Sequence, residues 1–138
     1  MWRAEYVTTT DVAAERLYRA IIDVNRWTAW DDGLESTTLD GPARAGASFT
    51  LKPKGGPNVE MTIDEMRPHI LVDTAHLFGA RMRTTHEYTA TGPGTTIRFA
   101  VEISGPLGFF WRKVVGEGQI SGAPKQIAAF TAYARSLP

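Results

Sequence analysis

The middle of the chain, from Leu34 to Ser104, alternates between apolar and polar residues with a period of two. The clearest example is VEMTIDEM, which places Val59, Met61 and Ile63 on one face. Such alternation is typical of strands with one face in a core and the other in water. Clusters such as KPKGGPN, RPH, FGA and TGPGT interrupt the pattern and predict turns. Short strands joined by tight turns predict an antiparallel meander, whose apolar side another element must cover.

The end of the chain predicts the helix that covers this sheet. Its apolar residues recur at spacings of three and four and are Ile120, Ala123, Ile127, Phe130, Ala134 and Leu137. Pro106 suits a first helical turn, where the missing N–H of proline is not needed. Pro124 falls inside the stripe, and an internal proline removes one helical hydrogen bond. We therefore expect a kink or a break near residues 118–124, followed by a regular helix.

The N-terminal part predicts one strand followed by two short helices. WRAEYVTTT is rich in residues that favour strands and predicts a strand over about residues 2–9. A stripe at helical spacing then predicts a helix over about residues 12–23, capped by Thr10 or Asp11. The stripe consists of Ala14, Leu17, Tyr18 and Ile21. NRWTAWDDG predicts a second, short helical turn that carries two tryptophans.

Length and charge narrow the classes of function. The chain has 138 residues, of which 43% are hydrophobic, and we expect a single domain over residues 1–138. Lys plus Arg and Asp plus Glu number 15 each, and this zero net charge argues against a nucleic-acid partner and against an anionic-membrane binder. No apolar run approaches a bilayer span, so we expect no stable membrane insertion. The sequence also shows no secretory signal, and we expect a cytoplasmic protein.

The usual motifs for metals and phosphates are missing. There is no cysteine, and the three histidines show neither HxxxH nor HxH spacing. KGGPN lacks the following helix that a phosphate site requires, and no GxSxG element occurs. We therefore expect no metal site and no cofactor.

Several segments resemble the START-like superfamily, and within it the polyketide cyclase/dehydrase and lipid-transport group. They are AAERLYRAIIDVNRWTAW, GTTIRFAVEISGPLG and the C-terminal helix. The shared motifs are an acid followed by tryptophans, a GT that opens the last strand, and GPLG before the final helix. The resemblance spans about residues 7–135. It implies an α+β helix-grip fold, in which a curved antiparallel sheet of six to seven strands wraps around a long C-terminal helix. That fold serves cyclases, lipid carriers, hormone receptors and chaperone activators, so it does not fix the function.

The strand RTTHEY carries polar residues that point inward. A two-residue turn at residues 79–80 would place Asp73 opposite His86 on the neighbouring strand. Thr84 and Tyr88 then point the same way as His86. A slip of one residue in this hairpin would turn Asp73 and His86 to different faces.

The following hairpin extends this inward face. We expect Thr84 opposite Val101, and His86 opposite Phe99, with residues 91–94 as the loop. The expected inward face is mostly apolar and consists of Val59, Met61, Ile63, Leu71, Asp73, Ala75, Leu77, Met82, Thr84, His86, Tyr88, Ile97, Phe99, Val101 and Ile103. The opposite face collects Arg81, Arg83, Glu87, Arg98 and Glu102, which suits solvent.

Three interpretations of the inward polar cluster remain open at this point. His86 and Tyr88 could bond to each other, to Asp73 or to buried water and hold the core. They could orient a mostly apolar ligand in a gap between helix and sheet. His86, oriented by Asp73, could also act as a catalytic acid or base. Each interpretation gives these side chains partners, because burying an unpaired polar group costs roughly 1–3 kcal/mol.

The expected function is the binding of a small hydrophobic or aromatic molecule, such as a lipid or a polyketide. The expected ligand-binding residues are Tyr18, Trp30, Met61, Asp73, Met82, Thr84, His86, Tyr88, Phe99, Val101, Trp111 and Ile127. One alternative is a polyketide aromatase/cyclase or dehydratase, with His86 and Asp73 as the catalytic residues. A second alternative is an interaction module like the chaperone activators. Trp27 and Trp30 could also be core residues that close the open end of the grip.

The segment GFFWRKVVG is unusually apolar for a surface. Phe109, Phe110 and Trp111 cannot all point inward on one helical turn. We expect at least one of them to be exposed, as part of an entrance, a self-association patch that would favour a homodimer, or a membrane-touching tip. Arg112 and Lys113 beside them favour the last of these.

Overall fold

The computed structural model describes all 138 residues and contains seven strands, packed against a C-terminal helix. The strands are β1 (Trp2–Thr10), β2 (Leu34–Thr38), β3 (Ser48–Pro53), β4 (Val59–Arg67), β5 (Ile70–Leu77), β6 (Ala80–Thr91) and β7 (Gly94–Ser104). They form one antiparallel sheet in the order β1-β7-β6-β5-β4-β3-β2. The expected α+β helix-grip fold is confirmed.

The helices lie where the sequence predicts them. Helix α1 (Ala14–Ile22) and a 3-10 helix (Val24–Ala29) follow β1. The C-terminal helix runs without interruption through α2 (Gly108–Trp111), a π-helical turn (Arg112–Gly116) and α3 (Glu117–Ser136). No helix is both long enough and apolar enough to cross a bilayer.

The predicted apolar stripe holds α3 on the sheet. Ala123, Ile127, Phe130 and Ala134 are all buried. The preceding turn approaches the sheet even more closely, because a Cβ atom on Gly116 would lie 2.6 Å from the Trp2 ring and 2.7 Å from the Ile103 side chain. Small residues at such positions let the helix sit deep in the curved sheet.

Two details predicted for the helices are wrong, namely a break near residues 118–124 and the N-cap of the first helix. The C-terminal helix does not break between residues 118 and 124, and Pro124 lies inside α3 on the exposed side. The irregular stretch is the π-helical turn, which lies before α3. Helix α1 is capped by neither Thr10 nor Asp11, since its N-cap is Ala13, without a side-chain hydrogen bond.

The hairpin β5–β6 has a different register from the expected one. Its turn is formed by residues 78–79, and Gly79 takes a φ of 70° that costs glycine little. Asp73 therefore pairs with Thr84, and Leu71 pairs with His86. The pairing has moved by two residues, so every side chain keeps its predicted face.

The hairpin β6–β7 follows the expected register. Thr84 pairs with Val101, and His86 with Phe99. The strands extend further than expected, to a turn at residues 92–93 instead of 91–94. On the outer face, Arg81 and Arg83 are exposed, as predicted.

Candidate functional site

A small void lies between the inner face of the sheet and the C-terminal helix. Its volume is about 20 Å³, which is room for about one water molecule. Its walls come from the sheet, α1, α3 and the end of the 3-10 helix, through Ile21, Trp30, His86, Tyr88, Ile97, Arg98, Phe99, Gln126, Ile127 and Phe130. Most of these residues are apolar, with a few polar groups among them.

His86, in the wall of this void, forms a largely buried pair with Asp73 behind it. His86 Nε2 lies 3.1 Å from Asp73 Oδ2, and the two side chains are 13% and 3% exposed. The residues are diagonal neighbours on β6 and β5, a spacing that long side chains can bridge. When Asp73 is charged it only accepts hydrogen bonds, so a neutral His86 must carry its proton on Nε2. Nδ1 then remains as a hydrogen-bond acceptor.

Aromatic rings hold His86 in place. The Trp27 ring centre lies 6.2 Å from that of His86, and the Phe99 ring centre lies 5.8 Å away. Trp27 is buried, and its Nε1 donates to the Ile21 carbonyl at 2.9 Å. Trp27 is thus the core residue that the sequence suggests.

Tyr88 is a neutral group at the floor of the void. Its ring stacks on that of Phe130 with centres 6.0 Å apart. Burial raises the pKa of the Tyr88 hydroxyl well above its usual value, and the charge of Asp73 adds to the rise. Tyr88 can therefore donate a hydrogen bond but is a poor base.

Trp30 carries a hydrogen-bond donor without a partner. Its Nε1 is buried and makes no hydrogen bond. Trp30 is also one of the residues that line the void. Its ring meets Phe130 edge-on, with centres 4.9 Å apart. Buried polar atoms in proteins are nearly always paired, so this one calls for an explanation.

A polar link joins the segment after the 3-10 helix to α3 beside the void. Gln126 Nε2 donates to Asp31 Oδ2 at 2.8 Å, and the Gly33 amide donates to Asp31 Oδ1 at 2.9 Å. Burial raises the pKa of the Asp31 carboxyl, while these two hydrogen bonds oppose the rise. Gln126 itself is one of the residues that line the void.

A wider groove of about 380 Å³ lies on the outer face of the sheet. Met1 is the hydrophobic residue of its otherwise polar lining. Two of its charges already have partners, because Arg83 pairs with Glu65 and Glu102 pairs with Arg3, both at 3.0 Å. This groove lacks the apolar walls of the inner void.

The structure brings together some of the predicted ligand-binding residues but not all. Trp30, His86, Tyr88, Phe99 and Ile127 line the void. Asp73 adjoins it through His86. The others lie outside its walls: Tyr18, Met61, Met82, Thr84, Val101 and Trp111.

Packing explains why four of these residues lie elsewhere. Thr84 and Val101 pair farther along β6 and β7, towards the end of the sheet where the π-helical turn fills the interior. Tyr18 packs edge-on against His69, with ring centres 6.1 Å apart. Trp111 Nε1 donates to the Phe78 carbonyl at 2.7 Å.

Five wall residues were not predicted as site residues, and one of them is Arg98, which the sequence pattern assigns to the outer face of the sheet. Ile21 and Phe130 belong to the two helical stripes, and Ile97 belongs to the inward face of β7, so their patterns already indicated the interior. Phe130 lies one turn after Ile127, which faces the same way. Gln126 had no signal, because a polar residue beside an apolar stripe looks like surface. No group of three or more histidine, aspartate or glutamate side chains is placed to hold a metal.

Comparisons with known proteins agree with this architecture. The sequence profile of the family described as polyketide cyclase / dehydrase and lipid transport matches residues 1–134. No curated protein has a significantly matching sequence. The structure is similar to Ara h 8.0201, with 17% identity, a TM-score of 0.74 and 99% of both chains covered. It is also similar to MLL2253 from Mesorhizobium loti, with 21% identity, a TM-score of 0.73, and 98% of this chain and 100% of that chain covered. A START superfamily protein from Mycobacterium smegmatis matches with 13% identity, a TM-score of 0.72 and 99% of both chains covered. At these identities the structural likenesses show the fold alone.

Proposed function

The chain belongs to the polyketide cyclase/dehydrase and lipid transport family, and on that premise we propose that it binds a small hydrophobic or aromatic molecule between its sheet and its C-terminal helix. The observation that carries this proposal is the composition of the void's walls. Apolar side chains surround it, and a few polar groups face it, which is how sites for small molecules are generally built.

The unpaired donor of Trp30 favours ligand binding over pure packing. A group left without a partner in a core costs roughly 1–3 kcal/mol. A ligand with a carbonyl or hydroxyl oxygen would remove this cost by accepting from Trp30 Nε1. Tyr88 and His86 offer a donor and an acceptor on the opposite wall, so the ligand would be oriented from two sides.

The size of the void means that a ligand must open it. Small-molecule sites usually have volumes of roughly 300–1,000 Å³, whereas this void has about 20 Å³. Phe130 fills the centre, between Trp30 and Tyr88. We infer that binding displaces Phe130 and separates α3 from the 3-10 helix, with the Asp31–Gln126 link breaking as they part.

Native mass spectrometry and ligand titration test this function. In native mass spectrometry, the purified chain should carry a bound small molecule. Otherwise, in the titration, palmitate or 1-naphthol should bind to it and displace a bound fluorescent naphthalene probe. Ile127→Trp should abolish binding, because the larger ring occupies the void. The matched control is Ala129→Trp, which places the same ring on the exposed side of α3. Circular dichroism checks the folding of both variants, since overpacking costs about 1–3 kcal/mol. Absence of any bound or displacing molecule would refute the proposal.

The buried His86–Asp73 pair favours a second candidate, an aromatase/cyclase or dehydratase. In ring closure, His86 Nδ1 would take a proton from a carbon between two carbonyl groups of a polyketide chain. The resulting enolate would attack a distant carbonyl, and the alkoxide formed would take the proton back. Asp73 would orient the imidazole. His86→Ala should abolish turnover of a poly-β-keto thioester while the fold stays intact, and unchanged turnover would remove His86 from the mechanism.

The small volume of the void favours a third candidate, an interaction module like the chaperone activators, which needs no internal ligand. The two binding experiments separate it from the first candidate. A chain that binds no small molecule, and that still folds when Ile127→Trp fills the void, would be such a module.

A further inference from the structure

The exposed large hydrophobic side chains of this protein are concentrated at one end. Phe78 is 83% exposed, Phe109 71%, Phe110 48% and Val114 57%. The other large hydrophobic residues with comparable exposure are Met1 and Val7. Scattered exposed apolar residues need no explanation, but a contiguous group indicates an interaction surface.

Hydrogen bonds join the segments that carry these side chains. Trp111 Nε1 donates to the Phe78 carbonyl at 2.7 Å, and the Leu107 amide donates to the Gly79 carbonyl at 2.9 Å. The Phe110 ring packs edge-on against Trp111, with centres 5.2 Å apart. The β5–β6 turn and the start of the C-terminal helix therefore form one surface. We call Phe78, Phe109, Phe110 and Val114 the aromatic tip.

Basic residues flank the aromatic tip. Arg112 and Lys113 lie between its helical members, and Arg81 follows the turn that carries Phe78. Glu117 is the acid next to them in the helix, and it pairs with Arg112 at 3.1 Å. The tip region is therefore positive although the whole chain is neutral. Charges beyond about 10 Å are largely screened at ordinary salt concentrations. The charge of the tip region, and not that of the whole chain, therefore determines how this surface interacts with a charged partner.

We propose that the aromatic tip binds peripherally to the surface of an anionic lipid bilayer. Aromatic rings beside lysine and arginine suit the boundary between headgroups and acyl chains, and anionic headgroups attract the cations. A second copy of the chain fits less well, because a symmetric contact would bring the same positive groups together. This inference goes beyond the proposed function and does not depend on a ligand in the void.

Vesicle sedimentation tests the proposal. The chain should sediment with vesicles of phosphatidylcholine containing phosphatidylglycerol, bind much less to phosphatidylcholine alone, and dissociate as salt is raised. Lys113→Gln should weaken binding about fivefold, the effect of one basic residue near an anionic surface. The matched control is Lys125→Gln, whose exposed side chain lies about 18 Å farther along the helix.

A second pair of variants tests the apolar contribution. Phe78→Ser with Phe109→Ser should remove vesicle binding, while Val7→Ser, on the outer face of β1, should leave it unchanged. The fold should survive in each case, because these side chains are exposed. The proposal is overturned if both kinds of vesicle bind equally, if the tip variants still bind, or if sedimentation velocity shows that the tip instead holds a dimer.

Discussion

Phe130 is the side chain that keeps the interior of this protein closed. It is buried on α3, stacks on Tyr88 and meets Trp30 edge-on. Phe130→Ala should therefore both destabilise the fold and enlarge the void to a size that admits a small aromatic molecule.

The expected loss of stability has two parts. Returning a buried phenylalanine side chain to water costs about 1.5–3 kcal/mol. The added empty volume is on the order of 100 Å³ and costs about 24 cal/mol per Å³, or about 2.4 kcal/mol. Together they lower the free energy of unfolding by about 4–5 kcal/mol, within the range known for such substitutions. Phe130→Leu leaves less empty volume and should cost much less.

Urea denaturation measures these losses, and Phe110→Ala serves as the control because Phe110 is half exposed. Benzene, which enters engineered apolar cavities, should raise the unfolding midpoint of Phe130→Ala more than that of the unaltered chain or the control. A loss below about 1 kcal/mol, well short of the usual cost, would refute the role given to Phe130. So would a midpoint that benzene leaves unchanged.

Three further predictions concern the walls and the helix. Asp73→Ala should lower the free energy of unfolding by about 1–3 kcal/mol, because it leaves His86 without its partner; an equal stability in urea would contradict this. The pKa of Asp31 is raised in the folded state. The protonated carboxyl therefore stabilises the fold at low pH, and this stabilisation is lost as pH rises through the folded pKa. Asp31→Asn should therefore gain stability relative to the unaltered chain over that interval of a pH titration, and a constant difference would contradict this. Gly116→Ala should cost about 1–3 kcal/mol by overpacking against the sheet. Gly122→Ala, whose added carbon meets open space, should instead gain up to about 1 kcal/mol; thermal unfolding of the pair tests this opposite sign.

The faces of the strands could be predicted from the sequence because the alternation has a period of two. The β5–β6 register was wrong by two residues, yet Asp73 and His86 still point inward together. Local turn geometry decides the register, and Gly79 prefers the second position of the turn, where φ is positive. An error of one residue would have lost the site.

The size of the interior could not be predicted, because it depends on the depth at which the helix sits. Close contacts at Gly116 and the burial of Ala123 bring the helix towards the sheet, and their effect emerges only from the packing of distant segments. The same packing overrides the local effect of Pro124, which α3 accommodates on its exposed side. The pairing of Asp31 with Gln126, 95 residues apart, left no local pattern to find.

The central claim is that a small hydrophobic molecule binds between the sheet and α3. Nuclear Overhauser effects between 1-naphthol and the isotope-labelled chain measure this directly. We predict cross-peaks from the ligand to Ile127, Phe130 and Tyr88 at saturating ligand. Cross-peaks confined to the exposed Phe78 and Phe109, or none at all, would contradict the claim.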